Sequence, residues 1–322
     1  RQVNKVMGTV TEELTGLIFD VQRYSIHDGP GIRTLIFMKG CPLRCRWCSN
    51  PEGLTGGMDI LSEPQKCIGC GKCREECPSG AISLNAETGF QIDRQRCQRC
   101  GICAQTCPSG SKEAVGRRVT VREAVHIIQR EAAFYKDSGG GATLGGGEIL
   151  MQPEFVYEVL QGCHAQGINT AVETSGYGQW SWLKRIISAA DTVFMDLKAA
   201  NDRTHREITG VSNELILDNL KRTDECFGTP EYAGKDFIIR MPVIPGMNDS
   251  EADAAAASRF LKTLHHCRGI EILPFHNFGE RKYAKLDRCY EFAGRPNSGE
   301  EDVTQFQRVL SVCGHRVWVG KI

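Results

Sequence analysis

The sequence predicts an α/β chain: an open, partial (β/α)6 barrel of the TIM-like kind, interrupted near its start by a small inserted domain. Three observations predict it. From about Val119 to Ile322, helix-period and strand-period segments alternate, the signature of parallel strands joined by right-handed helical crossovers. The alternation yields about six strand–helix units and an extra strand, fewer than the eight of a closed barrel. Between about Ser62 and Gly116 it gives way to a stretch dense in Cys, Gly and Pro. The expected organisation is therefore residues 1–61 as the first part of the barrel, 62–116 as the insert and 117–322 as the rest of the barrel.

Arg33–Lys39 (RTLIFMK) is a β-prone run that ends at a cysteine loop. After the insert, Val121–Tyr135 has helical apolar spacing and Ala142–Leu144 is strand-like. Pro153–Gln166 is a helix with Pro in its first turn. Asn169–Glu173 and Thr192–Leu197 are strands flanking a helix at Trp180–Ala190. Glu214–Cys226 reads as helix, Phe237–Val243 as strand, Ser250–His265 as helix and Ile270–Phe275 as strand. Glu301–Cys313 is a last helix and Arg316–Val319 a last strand. Chemistry is expected at the C-terminal ends of the strands.

The 322 residues carry 39 Lys+Arg and 39 Asp+Glu, so the formal charge is zero. No basic stripe marks a nucleic-acid binder. No apolar run approaches the roughly 18 residues that span a bilayer, and Arg1–Thr15 lacks an apolar signal core. The expectation is a cytoplasmic protein with neither nucleic acid nor membrane as partner. The 16 cysteines are the departure: 11 lie between Cys41 and Cys107. Thiols clustered at two- and three-residue gaps in a chain this long surround metal more naturally than they pair as disulfides. The scattered Cys163, Cys226, Cys267, Cys289 and Cys313 read as ordinary reduced thiols.

Cys41, Cys45 and Cys48 are spaced C-x3-C-x2-C. A cubane iron–sulfur cluster is commonly held by four cysteines, so three leave one iron open to bind an amino acid's amino and carboxylate groups and to pass an electron into a nearby sulfonium. A structural zinc site short of one ligand is the alternative. In the insert, Cys67–Pro78 (CIGCGKCREECP) recurs as Cys97–Pro108 (CQRCGICAQTCP), each reading C-x2-C-x2-C-x3-C-P. In that bacterial-ferredoxin spacing the fourth cysteine ligates the other cluster. Cys67, Cys70, Cys73 and Cys107 should hold one [4Fe–4S] cluster, and Cys97, Cys100, Cys103 and Cys77 a second. The insert is thus bacterial-ferredoxin-like.

The run Tyr24–Lys39 (YSIHDGPGIRTLIFMK), Gly40, the Cys41–Cys48 loop and Ser49-Asn50-Pro51 resemble the radical S-adenosylmethionine superfamily. Within it they resemble the larger glycyl-radical-enzyme activating enzymes, which carry such an insert. Asp28-Gly29-Pro30-Gly31-Ile32-Arg33 is typical of that family, and the resemblance runs from about Leu17 to Val319. It implies three [4Fe–4S] clusters, one binding S-adenosylmethionine through Cys41, Cys45 and Cys48 and two auxiliary, relaying electrons or serving structure. It implies that Trp47, Gly146, Gly147, Glu148, Glu173, Thr174, Asp196, Lys198 and His276 bind the cofactor: the Gly-Gly-Glu turn at its methionyl amino group, Lys198 at its carboxylate, His276 near the ribose or adenine. Glu173 stands where Asp is usual. In some members that carboxylate and the equivalent of Asp196 help hold a monovalent cation, a role the longer side chain puts in question. Asp28 and Arg240, the latter in Arg240-Met241-Pro242-Val243-Ile244-Pro245-Gly246, are expected at the partner's glycine loop.

The implied reaction is reductive cleavage of S-adenosylmethionine to a 5′-deoxyadenosyl radical, which takes a hydrogen atom from a glycine of a partner lyase or dehydratase. Choline trimethylamine-lyase and isethionate sulfite-lyase are two such partners. A reduced flavodoxin or ferredoxin would supply the electron, the protein would be a monomer, and association with a bacterial microcompartment fits this group. Two alternatives stand beside it: a radical enzyme of the same superfamily acting on a small molecule, and an electron-transfer iron–sulfur protein. The Asp28–Arg33 segment speaks against the first. The third cysteine loop and the long remainder of the chain speak against the second.

Overall fold

A computed structural model describes residues 13–85 and 89–320. The expectation that Arg1–Thr15 lacks a signal core therefore falls, up to residue 12, outside the described residues. No helix among them is long and apolar enough to cross a membrane.

One large sheet organises the chain. Its strands are β1 (Thr15–Ser25), β2 (Arg33–Met38), β7 (Arg117–Thr120), β8 (Gly141–Gly146), β9 (Asn169–Thr174), β10 (Thr192–Asp196), β11 (Asp236–Val243), β12 (Gly269–Pro274) and β13 (Val317–Val319). The order is β13-β12-β11-β10-β9-β8-β2-β1-β7. From β2 through β13 the neighbours pair in parallel and in sequence order. This is the topology the strand–helix alternation requires, six strands and an extra one. β1 and β7 add an antiparallel edge, which the alternation did not announce.

Parallel strands covered on both faces read as near-continuous apolar runs. Val193, Phe194 and Met195 of β10 are all buried. Their outer cover is helical: Phe155, Val159, Leu183, Ile186, Leu220 and Leu261 are at most 2% exposed and join one core.

Three local differences have local causes. The segment expected as one helix, Val121–Tyr135, is two, Val121–Gln129 and Ala132–Ser138. Glu131 leaves helical geometry between them, and its carboxylate faces Arg23 at 3.5 Å. The polar helix Asp202–Thr209 and the short helix Glu280–Lys285 were not anticipated.

The insert is tied to the barrel by a ribbon of β3 (Asp59–Ser62) with β6 (Lys112–Val115), and it contains the hairpin β4 (Ile82–Asn85) with β5 (Gly89–Ile92). Its two cysteine repeats form two matching four-residue helices, Lys72–Glu75 and Ile102–Gln105. Each is opened by a glycine in the left-handed region, Gly71 at φ 79° and Gly101 at φ 82°.

Candidate functional site

The three-cysteine loop leaves the C-terminal end of β2 and is held on three sides. The backbone N–H groups of Gly147 and Glu148 donate to the carbonyls of Met38 (2.9 Å) and Gly40 (2.8 Å). Arg44 and Arg46 donate from their backbone to Thr209 (2.7 Å) and Ile208 (3.1 Å), at the end of the unanticipated helix. Gly279 closes the third side, for a Cβ there would lie 2.8 Å from the Cys48 carbonyl. A Cβ on Gly147 would likewise meet the Gly40 carbonyl at 2.4 Å. Both glycines admit backbone against backbone.

All 16 cysteines are free. Burial pushes the Cys41 and Cys45 thiols up to about 12 and Cys48 to about 11, so iron must displace protons when it binds there. Among the described residues no three His, Cys, Asp or Glu side chains close around a point as a single-ion site requires.

Glu148 is engaged within the chain. It is 1% exposed. One carboxylate oxygen accepts from Thr174 Oγ1 (2.6 Å) and Leu150 N (3.1 Å), the other from Ser175 N (2.8 Å) and Ser175 Oγ. A carboxylate offers about four acceptor sites, and all are engaged inside the chain. Burial pushes its pKa up and the Ser175 and Thr174 donors work against that. Here Glu148 braces the end of β8 against the end of β9; the turn itself presents backbone at Gly146 and Gly147. Thr174, assigned to the cofactor in the sequence, is part of the same brace.

Arg240 and Glu173 are likewise engaged. Arg240, 8% exposed, pairs through NH1 with Glu173, donates from Nε to Glu271 at 2.7 Å and from NH2 to the His27 carbonyl at 3.2 Å, and lies 3.7 Å over the Phe194 ring. The carbonyl it binds belongs to its own chain. Its guanidinium lies against the Glu173 carboxylate. One guanidinium serves two carboxylates, and burial lifts Glu173 to about 7 in spite of Arg240. The His27 contact brings the Asp28 segment over the same strands. Asp28 accepts from Ser25 Oγ, and its carbonyl accepts from Thr143 Oγ1 at 2.8 Å. Arg33, fully buried, shapes this segment through Thr143 Oγ1 (2.7 Å) and the Pro30 carbonyl (3.1 Å).

Asp196 and Lys198 pair at 2.6 Å at the end of β10. Burial opposes the Lys198 ammonium, yet Asp196, Cys45 and Cys41 outweigh it and push its pKa up. Asp196 is the partner that holds this cation. His276 Nδ1, past the end of β12, is buried without a partner; a buried polar atom in that state is suited to a ligand's hydrogen bond. Trp47 packs against the apolar cluster of Ile244, Phe275, Tyr283, Tyr290 and Phe292 beside the loop.

In the insert the crossed allocation has a spatial counterpart. Cys67, Cys70, Cys73 and Cys107 line one cavity, and Cys77, Cys97, Cys100 and Cys103 another. Donors already aim at sulfur: Ala81 N to Cys77 at 3.3 Å and Arg99 N to Cys97 at 3.4 Å. Ser79 and Ser109 hydroxyls each lie 3.6 Å from the cysteine two residues before them. Each set is the four-cysteine complement that commonly holds a cubane. Lys39, the residue before Gly40, reaches Asp59 at 3.5 Å, and Asp59 meets Arg99 at 3.4 Å. This chain of charges, buried at Lys39 and Asp59 and exposed at Arg99, joins the cysteine loop to the insert.

The sequence reading assigned no role to Ser175, Glu271, Arg33 or Thr209, although Arg33 closes the Asp28–Arg33 motif, Ser175 follows Glu173-Thr174, and Asn201 and Gly210 bracket the helix of Thr209 as caps.

The comparisons with known proteins agree with this geometry. A 4Fe-4S dicluster domain model matches residues 66–111, and the Radical SAM superfamily model matches residues 95–257. The choline trimethylamine-lyase activating enzyme of Oleidesulfovibrio alaskensis is 40% identical over 305 residues, covering 92% of this chain and 96% of that protein. The isethionate sulfite-lyase activating enzyme of Nitratidesulfovibrio vulgaris is 40% identical over 280 residues, 85% of this chain and 88% of that one. The trans-4-hydroxy-L-proline dehydratase activating enzyme of Clostridioides difficile is 38% identical over 307 residues, 94% and 99% of the two chains.

Proposed function

Because the chain belongs to the glycyl-radical-enzyme activating enzymes of the radical SAM superfamily, we propose that it installs the radical on a partner lyase or dehydratase, using S-adenosylmethionine and three [4Fe–4S] clusters. The observation that carries this reading is a loop of three cysteines, one short of a cubane's usual set, at the end of β2 in the same sheet whose β10 ends on the Asp196–Lys198 pair. Cys41, Cys45 and Cys48 would hold a cluster that, when bound, would supply the one electron for reductive cleavage of the sulfonium's bond to the adenosyl carbon, giving methionine and the 5′-deoxyadenosyl radical that would take a hydrogen atom from the partner's glycine Cα.

The chain's own residues bind and orient. Lys198 meets the methionyl carboxylate as a buried cation, its charge held by Asp196. The bared backbone of Gly146 and Gly147 lets the amino group approach, with Glu148 fixing that turn from behind. His276 Nδ1 takes a hydrogen bond from or gives one to the nucleoside. The Arg240–Glu173–Glu271 cluster holds the Asp28 segment in place, so that Asp28 meets the partner's glycine loop on a preset backbone. The two four-cysteine cavities of the insert hold the auxiliary clusters, which relay electrons from a donor of the flavodoxin or ferredoxin class. We place the protein as a monomer in the reducing cytoplasm. The near-equal identities to activators of different lyases favour no single partner.

The test is anaerobic incubation of the reduced, iron-loaded protein with S-adenosylmethionine and each candidate lyase, read by EPR. A glycyl radical on one of them, with 5′-deoxyadenosine in equal amount, is the expected result. Deoxyadenosine formed with a small molecule consumed and no glycyl radical on any lyase would replace this reading with the small-molecule one.

A further inference from the structure

The insert's two cavities are built from a repeated sequence, yet their linings differ by one buried charge. After the fourth cysteine the first repeat continues Cys77-Pro78-Ser79-Gly80-Ala81-Ile82 and the second Cys107-Pro108-Ser109-Gly110-Ser111-Lys112. Ile82 and Lys112 are therefore equivalent positions, and each lines the cavity beside its own fourth cysteine: Ile82 with Ile60 and Ile92 in one, Lys112 with Phe90 in the other.

Lys112 is 3% exposed, and its ammonium donates to Ser62 Oγ and the Phe90 carbonyl. Both acceptors are neutral. An ammonium has three donors, so one remains; among the described residues no carboxylate lies within ion-pair distance of it, and Asp287, whose charge acts on it, is paired with Arg94 at 2.6 Å. The other cavity's nearby cations are screened. Arg96 is exposed and reaches the Ser79 carbonyl; Arg99 is 47% exposed and paired with Asp59. A buried positive charge beside a cluster stabilises its reduced, more negative form, as does a hydrogen bond to its sulfurs.

We propose that Lys112 sets the two auxiliary clusters apart, making the one held by Cys67, Cys70, Cys73 and Cys107 the more readily reduced. The proposal rests on the two-cluster reading of the insert. Incoming electrons then settle first at the Lys112 side, and the Ile82 side is the lower-potential member of the pair.

The experiment is an EPR-monitored redox titration of the anaerobically iron-loaded full chain, without S-adenosylmethionine, for wild type, Lys112→Met and Lys112→Gln. Glutamine keeps a donor for Ser62 or Phe90 and removes the charge, so it guards against a packing defect in the methionine variant. A Cys97→Ser/Cys100→Ser double variant identifies the transitions, because it leaves the Lys112-side cluster alone in the insert. In both Lys112 variants that cluster's midpoint should fall by at least tenfold in the one-electron equilibrium, about 59 mV, while the other auxiliary midpoint holds. The proposal is overturned if both midpoints hold in variants that retain full iron, or if the one that moves is the transition lost with Cys97 and Cys100. Iron and EPR counts showing fewer than two cubanes in the wild-type insert would instead overturn the two-cluster reading, and the proposal with it.

Discussion

Replacing Glu148 by glutamine separates a brace from a ligand. Each carboxylate oxygen accepts one backbone N–H, Leu150 at 3.1 Å on one side and Ser175 at 2.8 Å on the other. The amide introduced by Glu148→Gln must therefore point its NH2 at one of them in either orientation, and a backbone N–H cannot rotate away as the Thr174 and Ser175 hydroxyls can. A buried donor left unsatisfied costs about 1–3 kcal/mol, and the surviving bonds lose the advantage of a charged acceptor, worth about 1 kcal/mol more. The expected destabilisation is about 2–4 kcal/mol. For a chain of this size that lowers the thermal midpoint by about 3–6 °C. Anaerobic thermal and urea unfolding of the iron-free protein measures it with no cofactor present. If Glu148→Gln unfolds as wild type does while the iron-loaded enzyme loses affinity for S-adenosylmethionine, the carboxylate is free to serve the cofactor and the bracing account fails.

Further outcomes follow from the same geometry. Burial lifts Glu173 to about 7, above the ordinary value of about 4.3; its contribution to stability is full below the ordinary value and is lost as pH rises through about 7. The thermal midpoint of the iron-free wild type should therefore fall relative to Glu173→Gln between about pH 5 and pH 8, and parallel pH curves would contradict this. Gly279→Ala places a Cβ 2.8 Å from the Cys48 carbonyl. It should cost one cubane, about four irons, as judged by iron analysis, while the insert keeps its own; a full iron complement would show that the loop can give way. Lys198→Met removes the partner of Asp196 at 2.6 Å and should raise the Kd for S-adenosylmethionine about tenfold or more, a loss of about 1.4 kcal/mol, by equilibrium binding. An unchanged Kd would remove Lys198 from the cofactor's carboxylate.

Much of this site was legible because its chemistry is written in short spacings. The gaps among Cys41, Cys45 and Cys48, and the duplicated run with its crossed fourth cysteines, constrain geometry within a few residues, and the insert's two cavities gather the same four-cysteine sets. The motifs Gly146–Glu148, Asp196–Lys198 and His276 were legible by their order at strand ends. Their partners were not. What a carboxylate meets depends on which strands become neighbours, so nothing local to Glu148 announces Thr174 and Ser175, 26 and 27 residues away. Nor does anything local to Arg240 announce Glu173, 67 residues back. The helix Asp202–Thr209 was hidden by its polarity, for it stands on its Asn201 cap and on contacts with the cysteine loop rather than on a broad apolar face. β1 was missed because its alternation of buried and exposed positions fades after its first few residues.

The measurement that bears most directly on the assignment is the EPR response of the reduced protein to S-adenosylmethionine, in wild type and in Cys45→Ala. Wild type should show a cluster signal that changes on adding S-adenosylmethionine and should release 5′-deoxyadenosine. The variant should retain both insert signals, lose the responsive one and release no deoxyadenosine. A Cys45→Ala protein that still cleaves S-adenosylmethionine, or a wild type whose signals ignore it, would contradict the assignment of the reaction to this loop.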